Sequence, residues 1–412
     1  MNKVVKKKFR QHLSKIFILI IICFLILKTN FVFASEVFTS NTSTDDVSKT
    51  TEEVTNNITE STRKTYNLDE YIDTINNSVN ENLGQEIDFK NIANELLNKN
   101  DINHKNLFTK LLEIFASEVS SAIKGTVTIF IIAIIMAILS NLELDNKSDI
   151  TRIAHLACFI VIATITVATF VQTVNMLKTT INTMGTLMQV ISPFLLSVLI
   201  ATGKISTTGI IQPLLLFLAS SVGFIVTYFV IPLLSISVAF NVICSISENI
   251  RLEKLSKFFS NVSLWTIGVV LTVFLGVLSL ETSLSSSVDS LSVKTTQAAV
   301  SNFVPVVGKF FSDSFEVVVG ATKIIGKTGG IIGILGIVIV GIIPIFKITS
   351  IMVIYMLLAA FVEMITTDKL ILKYLSGFVN VYKTMLGILI GVVILFVIST
   401  GIILNLVNSI VT

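Results

Sequence analysis

Charged residues are scarce in this chain of 412 residues: Asp, Glu, Lys and Arg make up 14% of it, whereas 52% of the residues are hydrophobic. A water-soluble domain carries about 25% charged residues. The mean hydropathy of +0.84 is correspondingly high. Most of the surface is therefore predicted to face lipid. The formal net charge is only +3, and basic residues cluster only at the N-terminus, which argues against nucleic-acid binding.

Cysteine and histidine are also rare, with three of each. Cys23, Cys158 and Cys244 lie in apolar runs, and their spacing fits neither a disulfide framework nor a metal site. The histidines are scattered, and neither a Ser/His/Asp or Cys/His arrangement nor an HExxH motif is present. We therefore expect a protein that is not an enzyme and that binds no metal or cofactor.

One short stretch resembles the end of a phosphate-binding loop, Gly326-Lys327-Thr328. The complete motif requires a glycine five positions before the second glycine. Ala321 occupies that position, and Gly320 lies one residue too early. Nucleotide hydrolysis is therefore not predicted.

The first 34 residues have the features of a secretion signal. Six basic residues lie before or at Lys15, and Ile16 to Leu27 form an apolar run that is too short for a spanning helix. Val32 and Ala34 then give a small-residue cleavage pattern, which predicts cleavage after Ala34. The alternative is an uncleaved anchor. The mature chain is therefore expected to begin outside the cytoplasm.

The region after the signal divides into two parts. Residues 35–65 are rich in Ser, Thr, Asn, Asp and Glu, which predicts a disordered linker. Residues 66–121 show apolar residues at helical spacing, which predicts an extracytoplasmic region of amphipathic helices. The first such group is Leu68, Tyr71, Ile72, Ile75 and Val79. These helices would form a small cap or lie on the membrane surface.

The remainder predicts an all-α, polytopic membrane helix bundle. About six segments fall within 122–280 and about three within 329–412, each near the length that a bilayer requires. The nine segments are Ile123–Leu142, Ile153–Val174, Met184–Gly203, Gly209–Phe229, Val230–Ser247, Leu264–Leu280, Gly329–Phe346, Ile348–Ile365 and Met385–Asn408. The polar stretch 281–328 between the two groups is predicted to be re-entrant or to lie on the membrane surface.

Loop charges test the orientation of these segments. If the N-terminal region is outside, then Lys147, Arg152 and Lys204 are inside, together with the basic residues at 251–257. With nine spans, however, Lys369, Lys373 and Lys383 fall outside. A further crossing between Pro305 and Lys327 would place those three inside, and the sequence leaves this open.

Several residues within the apolar segments are candidates for function or packing. Glu363, Asn241 and Gln212 are polar, as are Gln172 and Asn175; such residues join helices by hydrogen bonds or line a path. Prolines 193, 213, 232 and 344 mark broken helices or reflect the ordinary frequency of proline in membrane helices. Glycine pairs four residues apart, such as Gly326/Gly330, Gly329/Gly333 and Gly387/Gly391, permit close helix contact or oligomerisation.

Residues 303–330 are the principal candidate segment, because they place polar residues among apolar spans where lipid cannot satisfy polar backbone. We hypothesise that this segment lines or gates a lumen; the alternative is a membrane-surface helix that only packs. The candidate residues are Pro305, Gly308, Lys309, Asp313, Gly320, Lys327, Gly329 and Gly330.

The same segment carries a resemblance to a known family. The stage III sporulation protein AE family of endospore-forming bacteria is resembled by Pro305-Val306-Val307-Gly308-Lys309, followed by Asp313, Val317-Val318-Val319-Gly320 and Gly329-Gly330-Ile331-Ile332-Gly333. The shared plan of signal peptide, polar N-region and polytopic core extends the resemblance over most of the chain. It is weakest over Ser35–Thr65.

The resemblance implies a role in endospore formation after the mother cell has engulfed the forespore. The family belongs to a channel or feeding-tube complex that bridges the two membranes. Expected partners are membrane lipid, other subunits of the same operon, including a secretion-type ATPase, and a forespore membrane protein. The chain would lie in the mother-cell membrane around the forespore. The alternatives are a stand-alone secondary transporter and a non-conducting membrane scaffold.

Overall fold

The computed structural model describes residues 58, 60–83, 90, 94, 104–145, 149–246, 252–303, 307–365 and 369–408. Apart from short turns, these residues are helical, and no strand occurs among them. The predicted all-α class is confirmed. The predicted signal peptide with its cleavage residue Ala34 and most of the predicted linker lie outside the described residues, and residues 60–65 at the linker's end are helical.

Eight α-helices and one π-helical segment have described bounds, and residues 58, 60–65, 90 and 94 are helical outside them. The elements with described bounds are α1 (Leu68–Leu83), α2 (His104–Asp145), α3 (Asp149–Ala201), α4 (Ile205–Ile225), the π segment (Val226–Val230), α5 (Ile231–Cys244), α6 (Glu253–Phe303), α7 (Val307–Ile365) and α8 (Lys369–Asn408).

Six helical runs within the described residues are long and apolar enough to cross a membrane, so the chain is a multi-pass membrane protein. They are Ala116–Met136, Ile153–Ala201, Ile205–Cys244, Glu253–Glu281, Val319–Ile365 and Leu370–Asn408. The nine segments seen in the sequence lie on these six runs. Three pairs of segments merge, because α3, the α4–α5 run and α7 each continue where the hydropathy suggested a break.

The merged runs contain prolines that do not end them. Pro193 lies inside α3 and Pro344 inside α7. Pro232 is the second residue of α5 and has no N–H to donate to the preceding turn. In the π segment directly before it, backbone hydrogen bonds join residues five positions apart, as from the Ile231 N–H to the Val226 carbonyl oxygen. The chain thereby continues into α5 without a loop.

Helix contacts define two ends of the bundle. At the first end, α3 passes into α4 through a turn in which Gly203 has a φ of 87°. The ammonium group of Lys204 donates a hydrogen bond to the carbonyl oxygen of Leu406, near the end of α8. We call this the Lys204 end.

At the opposite end, α5 ends, α6 begins, and α7 connects to α8. Asn241 on α5 donates from Nδ2 to the carbonyl oxygen of Tyr374 on α8, at 3.1 Å. Glu253, the first residue of α6, interacts electrostatically with Lys373. We call this the Lys254 end, after an exposed lysine in the first turn of α6.

The helices therefore cross the bundle in alternating directions. Phe159 on α3 lies edge-on to Tyr374, which places the beginning of α3 toward the Lys254 end. Phe130 on α2 contacts Phe361 near the end of α7. The later part of α2 therefore also lies toward the Lys254 end, and its beginning lies toward the Lys204 end. The six runs are candidate crossings. The first begins at the Lys204 end, and the last finishes there.

Helices α7 and α8 form the best-buried part of the bundle. Tyr355, Tyr374, Tyr382, Phe378 and Phe396 are fully enclosed side chains on these two helices. Glycines let neighbouring helices approach α8. A Cβ on Gly377 would overlap the Asn241 side chain, and a Cβ on Gly391 would lie 2.8 Å from Ile267.

Candidate functional site: the glycine face of α7

Five glycines on α7 form a continuous close-contact surface near the Lys204 end, which we call the glycine face. They are Gly326, Gly329, Gly330, Gly333 and Gly336. Each would bring an added Cβ to 3.0 Å or less from a side-chain atom on another helix. Absence of a side chain is what permits these contacts. The first four belong to the spaced glycine pairs noted in the sequence, and the packing role expected for those pairs is what the structure shows.

Helix α1 covers part of this face. Leu68, Tyr71, Ile72, Ile75 and Val79 are all buried, and α1 packs against α7 and α3. The Cγ2 atom of Ile75 lies 3.0 Å from the position that a Cβ on Gly336 would take. The amphipathic helix predicted from apolar spacing is thus confirmed. Its apolar side lies against the membrane helices.

Tyr71 joins three helices at one point. Its ring stacks on Phe194 of α3 with a centroid distance of 4.1 Å and an interplanar angle of 13°. Its hydroxyl donates a hydrogen bond of 2.9 Å to the carbonyl oxygen of Gly329 on α7. Burial raises the pKa of the phenol, so Tyr71 keeps its proton and remains a donor. The stacked ring fills the space that a side chain at position 329 would need, because a Cβ there would lie 2.1 Å from Phe194.

An ion pair orders the chain just before α1. The Nε atom of Arg63 donates to both carboxylate oxygens of Asp69, at 3.1 and 3.0 Å. Asn67 between them has a φ of 47°, in the left-handed region that Asn tolerates better than most residues. The hydrogen bond from Arg63 holds the pKa of Asp69 below its ordinary value. The pair therefore fixes the turn that directs α1 onto the glycine face.

The candidate residues of the lumen or gating segment fall into two groups. Gly329 and Gly330 are buried in the glycine face, where Gly330 approaches Leu404 of α8. Gly308, Lys309 and Asp313 lie on the first two turns of α7, well before that face.

The rest of the segment lies between these two groups or outside the described chain. Gly320 faces open space, and Lys327 is half-buried. Pro305 lies outside the described residues. The structure thus brings together only part of the predicted set.

The three polar candidates within spans have different environments. Asn241 is buried and joins α5 to α8 through its hydrogen bond to Tyr374. Gln212 on α4 is exposed, and Glu363 is exposed two residues before the end of α7. Only Asn241 among these three has the helix-joining hydrogen bond in the described part of the chain.

Sequence reasoning missed two contacts that hold this site. Phe194 follows Pro193 in a run of apolar residues, and nothing in its sequence context distinguishes it from its neighbours. Lys204 had a usable signal, since it is a single charge between two long apolar runs. Lys204 is buried, and its hydrogen bond to Leu406 joins the turn between α3 and α4 to the last turns of α8.

No group of three or more His, Cys, Asp or Glu residues is placed to hold a metal ion among the residues that the structure describes. The contacts described at this site are close packing at the glycines and the hydrogen bond from Tyr71 to Gly329.

Comparisons with known proteins give the family. The model of the family described as stage III sporulation protein AE matches residues 87–406. A relative, Stage III sporulation protein AE of Bacillus subtilis (strain 168), is 26% identical over 237 residues, which cover 57% of this chain and 59% of the relative. No solved structure matches the chain. Helix α1 precedes the matched region, whereas the glycine face lies inside it. The protein belongs to the stage III sporulation protein AE family.

Proposed function

We propose that this protein is the multi-pass component of a channel complex that links mother cell and forespore and is required after engulfment. It would act in the mother-cell membrane around the forespore and would have no enzymatic activity. The observation that carries the proposal is the family match over 87–406, joined to six candidate spans. Its partners would be other subunits of the same operon, including a secretion-type ATPase, and a forespore membrane protein.

Basic residues support an orientation for the chain. Five basic residues lie in the first two turns of helices that begin at the Lys254 end: Arg152, Lys254, Lys257, Lys369 and Lys373. Cytoplasmic ends carry an excess of Lys and Arg. We therefore place the Lys254 end in the cytoplasm. On the path with six runs, Lys369 and Lys373 share a side with Lys254, whereas Lys383 lies inside the run Leu370–Asn408.

This orientation places the N-terminal region outside, in agreement with the predicted signal. Helix α1 then lies at the extracytoplasmic side, against the glycine face near the Lys204 end. Lys204 itself, expected inside when α3 was divided into two spans, lies at the extracytoplasmic end under the six-crossing path.

The polar stretch 281–328 gives the extracytoplasmic side a means of reaching a partner. Helix α6 continues to Phe303, 22 residues beyond the end of its apolar run at Glu281, and α7 begins at Val307, 12 residues before its run. At 1.5 Å per residue, the continuation of α6 is about 33 Å long. We propose that these extensions, rather than a re-entrant loop, make contacts in the space between the two membranes.

Deletion of the gene in frame, with a complemented strain as control, tests the proposal. We expect normal vegetative growth. After engulfment, forespores should shrink or fail to express late genes, and complementation should restore them. Normal sporulation of the deletion strain would contradict the proposal and favour the stand-alone transporter.

The lumen or gating hypothesis has its own test. Combined replacement of Lys309, Asp313 and Lys327 by Ala should reduce sporulation while the protein accumulates normally. Lys64→Ala with Glu70→Ala is the matched control, because it removes exposed charges that lie outside the segment. Normal sporulation of the triple variant would contradict a role for these polar side chains.

A further inference from the structure

The second half of α3 exposes polar residues along one narrow line. From residue 172 to residue 193, the exposed residues are Gln172, Asn175, Lys178, Thr179, Asn182, Thr186, Gln189 and Pro193. We call Gln172, Asn175, Thr179, Asn182, Thr186 and Gln189 the polar seam. They lie within the apolar run Ile153–Ala201, whose earlier half exposes Ile153, Leu156, Ile160 and Val161 instead.

The neighbouring helix α4 exposes apolar side chains beside the seam. A Cβ on Gly185 of α3 would lie 3.0 Å from the carbonyl oxygen of Ala219, and one on Gly223 would lie 2.9 Å from Asn182 Oδ1, so α3 and α4 are in close contact there. At that level α4 exposes large apolar side chains, Leu216, Phe217 and Phe224. Polar side chains beside them would face hydrocarbon, which is unfavourable unless another polar surface covers them.

The spacing of the seam identifies the shape of that covering surface. Successive seam residues are 3, 4, 3, 4 and 3 positions apart, and Pro193 follows after 4 more. This is the heptad spacing by which one helix packs along another at a small crossing angle. The line is narrow, as a two-helix contact requires. From Gln172 to Gln189 it covers 18 residues, or about 27 Å, which is close to the thickness of the hydrocarbon core.

We propose that the polar seam is the contact surface for α3 of a second copy of this chain in the same membrane. Copies inserted alike have the same orientation, so their seams run parallel about a two-fold axis along the membrane normal. Like residues then meet, and the side-chain amides of Asn175, Asn182 and Gln189 can each donate to and accept from their counterparts.

Two further observations favour this occupant. Lys178 lies beside the seam at the position that faces Thr183 of a parallel copy, so no lysine pair is forced together. A notch of about 250 Å³ opens at the middle of the seam, lined in part by Asn182, Gly185, Ser220 and Gly223. The small residues there let a second backbone approach. This inference does not depend on the sporulation role, because it concerns the chain alone.

Cysteine cross-linking of the full chain, expressed without other subunits of the complex, tests the proposal. In a background with Cys23, Cys158 and Cys244 replaced by Ser, single cysteines are placed at Asn175, Asn182 or Gln189. Matched controls are Ile160→Cys on the earlier half of α3 and Phe217→Cys on α4, both exposed and apolar. We expect disulfide-linked dimers at least about fivefold more abundant at the seam positions. Equal dimer formation at seam and control positions, or none at the seam, would overturn the proposal.

Native mass measurement of the purified protein in lipid nanodiscs provides the second readout. The unaltered chain should be a dimer, and Asn175→Leu with Asn182→Leu should be monomeric at unchanged thermal stability, because these variants lack the amides that need a polar partner. Asn77→Leu, on the exposed side of α1, should remain dimeric. A monomeric parent chain whose seam cysteines react rapidly with a water-soluble maleimide would indicate a water-lined surface and contradict the proposal. Cross-linking only upon co-expression with another subunit would contradict it equally.

Discussion

The glycine face of α7 and the polar seam of α3 are two lines of residues that differ from the apolar surface around them, and they are satisfied in opposite ways. The glycine face is covered by α1 and by α3 and α8 of the same chain. The polar seam remains exposed in the described part of the chain.

The difference follows from what each surface offers. A glycine has no side chain, so an apolar side chain of a neighbouring helix, such as Ile75, can pack directly against its backbone. Amides present donors and acceptors, and inside a membrane these need a polar partner. The glycine face is therefore covered by helices of the same chain, whereas the polar seam requires a contact with another chain.

The largest expected effect comes from removing an apolar contact between α1 and the glycine face. Ile75 is fully buried, and Ile75→Ala should weaken α1 docking by about 2–4 kcal/mol through lost contact and the cavity left behind. Hydrogen exchange of the α1 amides, compared with those of α8, measures this local opening. Asn77→Ala on the exposed side is the control and should change exchange little. Unchanged hydrogen-exchange protection of α1 in the Ile75→Ala variant would mean that the Ile75 side chain does not stabilise the docking of α1 on the glycine face.

Adding one methyl group to the glycine face should have the next largest effect. Gly329→Ala places a Cβ 2.1 Å from the Phe194 ring, so the ring must move and its stack with Tyr71 must break, at a cost of about 1–3 kcal/mol. Gly320→Ala should be neutral or raise thermal stability, because Ala favours helix by up to about 1 kcal/mol and meets no neighbour. Equal melting temperatures in detergent for the two variants would contradict close packing at position 329.

The hydroxyl of Tyr71 should contribute less. Tyr71→Phe keeps the stacked ring but removes the hydrogen bond to Gly329, and we expect a loss of about 0.5–1.5 kcal/mol in α1 docking. The comparison variant is Tyr66→Phe, in the turn before α1. If both changes left α1 exchange the same, the hydrogen bond would have no stabilising role.

The smallest effect concerns pH and the ion pair before α1. Arg63 lowers the pKa of Asp69. The contribution of this ion pair to the stability of α1 docking is therefore present above the ordinary aspartate pKa and is lost as pH falls through the lowered pKa. The pKa of Arg63 is raised by the same contact, so Arg63 stays charged throughout that range. Both side chains are partly solvated, and screening limits the effect to a few tenths of a kcal/mol.

Arg63→Gln should abolish this pH dependence in the exchange of α1 amides, whereas Lys64→Gln should leave it unchanged. A pH profile in the Arg63 variant identical to that of the parent chain would show that Asp69 titrates without help from Arg63.

Local patterns predicted the amphipathic helix α1, although not its contact with α7. The apolar residues from Leu68 to Val79 repeat at helical spacing, and glycines four apart indicate where helices approach. Hydropathy could not predict which turns continue through a proline, because a π segment before Pro232 and unbroken helix through Pro193 depend on neighbours rather than on local composition. For that reason nine segments became six crossings.

Exposure was the other quantity that sequence could not supply. The heptad spacing of the polar seam is visible in the sequence, and Gln172 and Asn175 were noted as polar. Whether such residues join helices within the chain depends on which side of α3 its neighbours cover. Asn241 is joined to α8, whereas the seam residues are exposed.

The most direct test of the contrast is a disulfide between α1 and the glycine face. Ile75 Cγ2 lies 3.0 Å from the Cβ position of Gly336, so Ile75→Cys with Gly336→Cys, in the background without native cysteines, has suitable geometry. Oxidised membranes should yield an intramolecular disulfide within single chains and no dimer from this pair. Two cysteines that stay free under oxidation, or that link only between chains, would contradict the docking of α1 on its own α7.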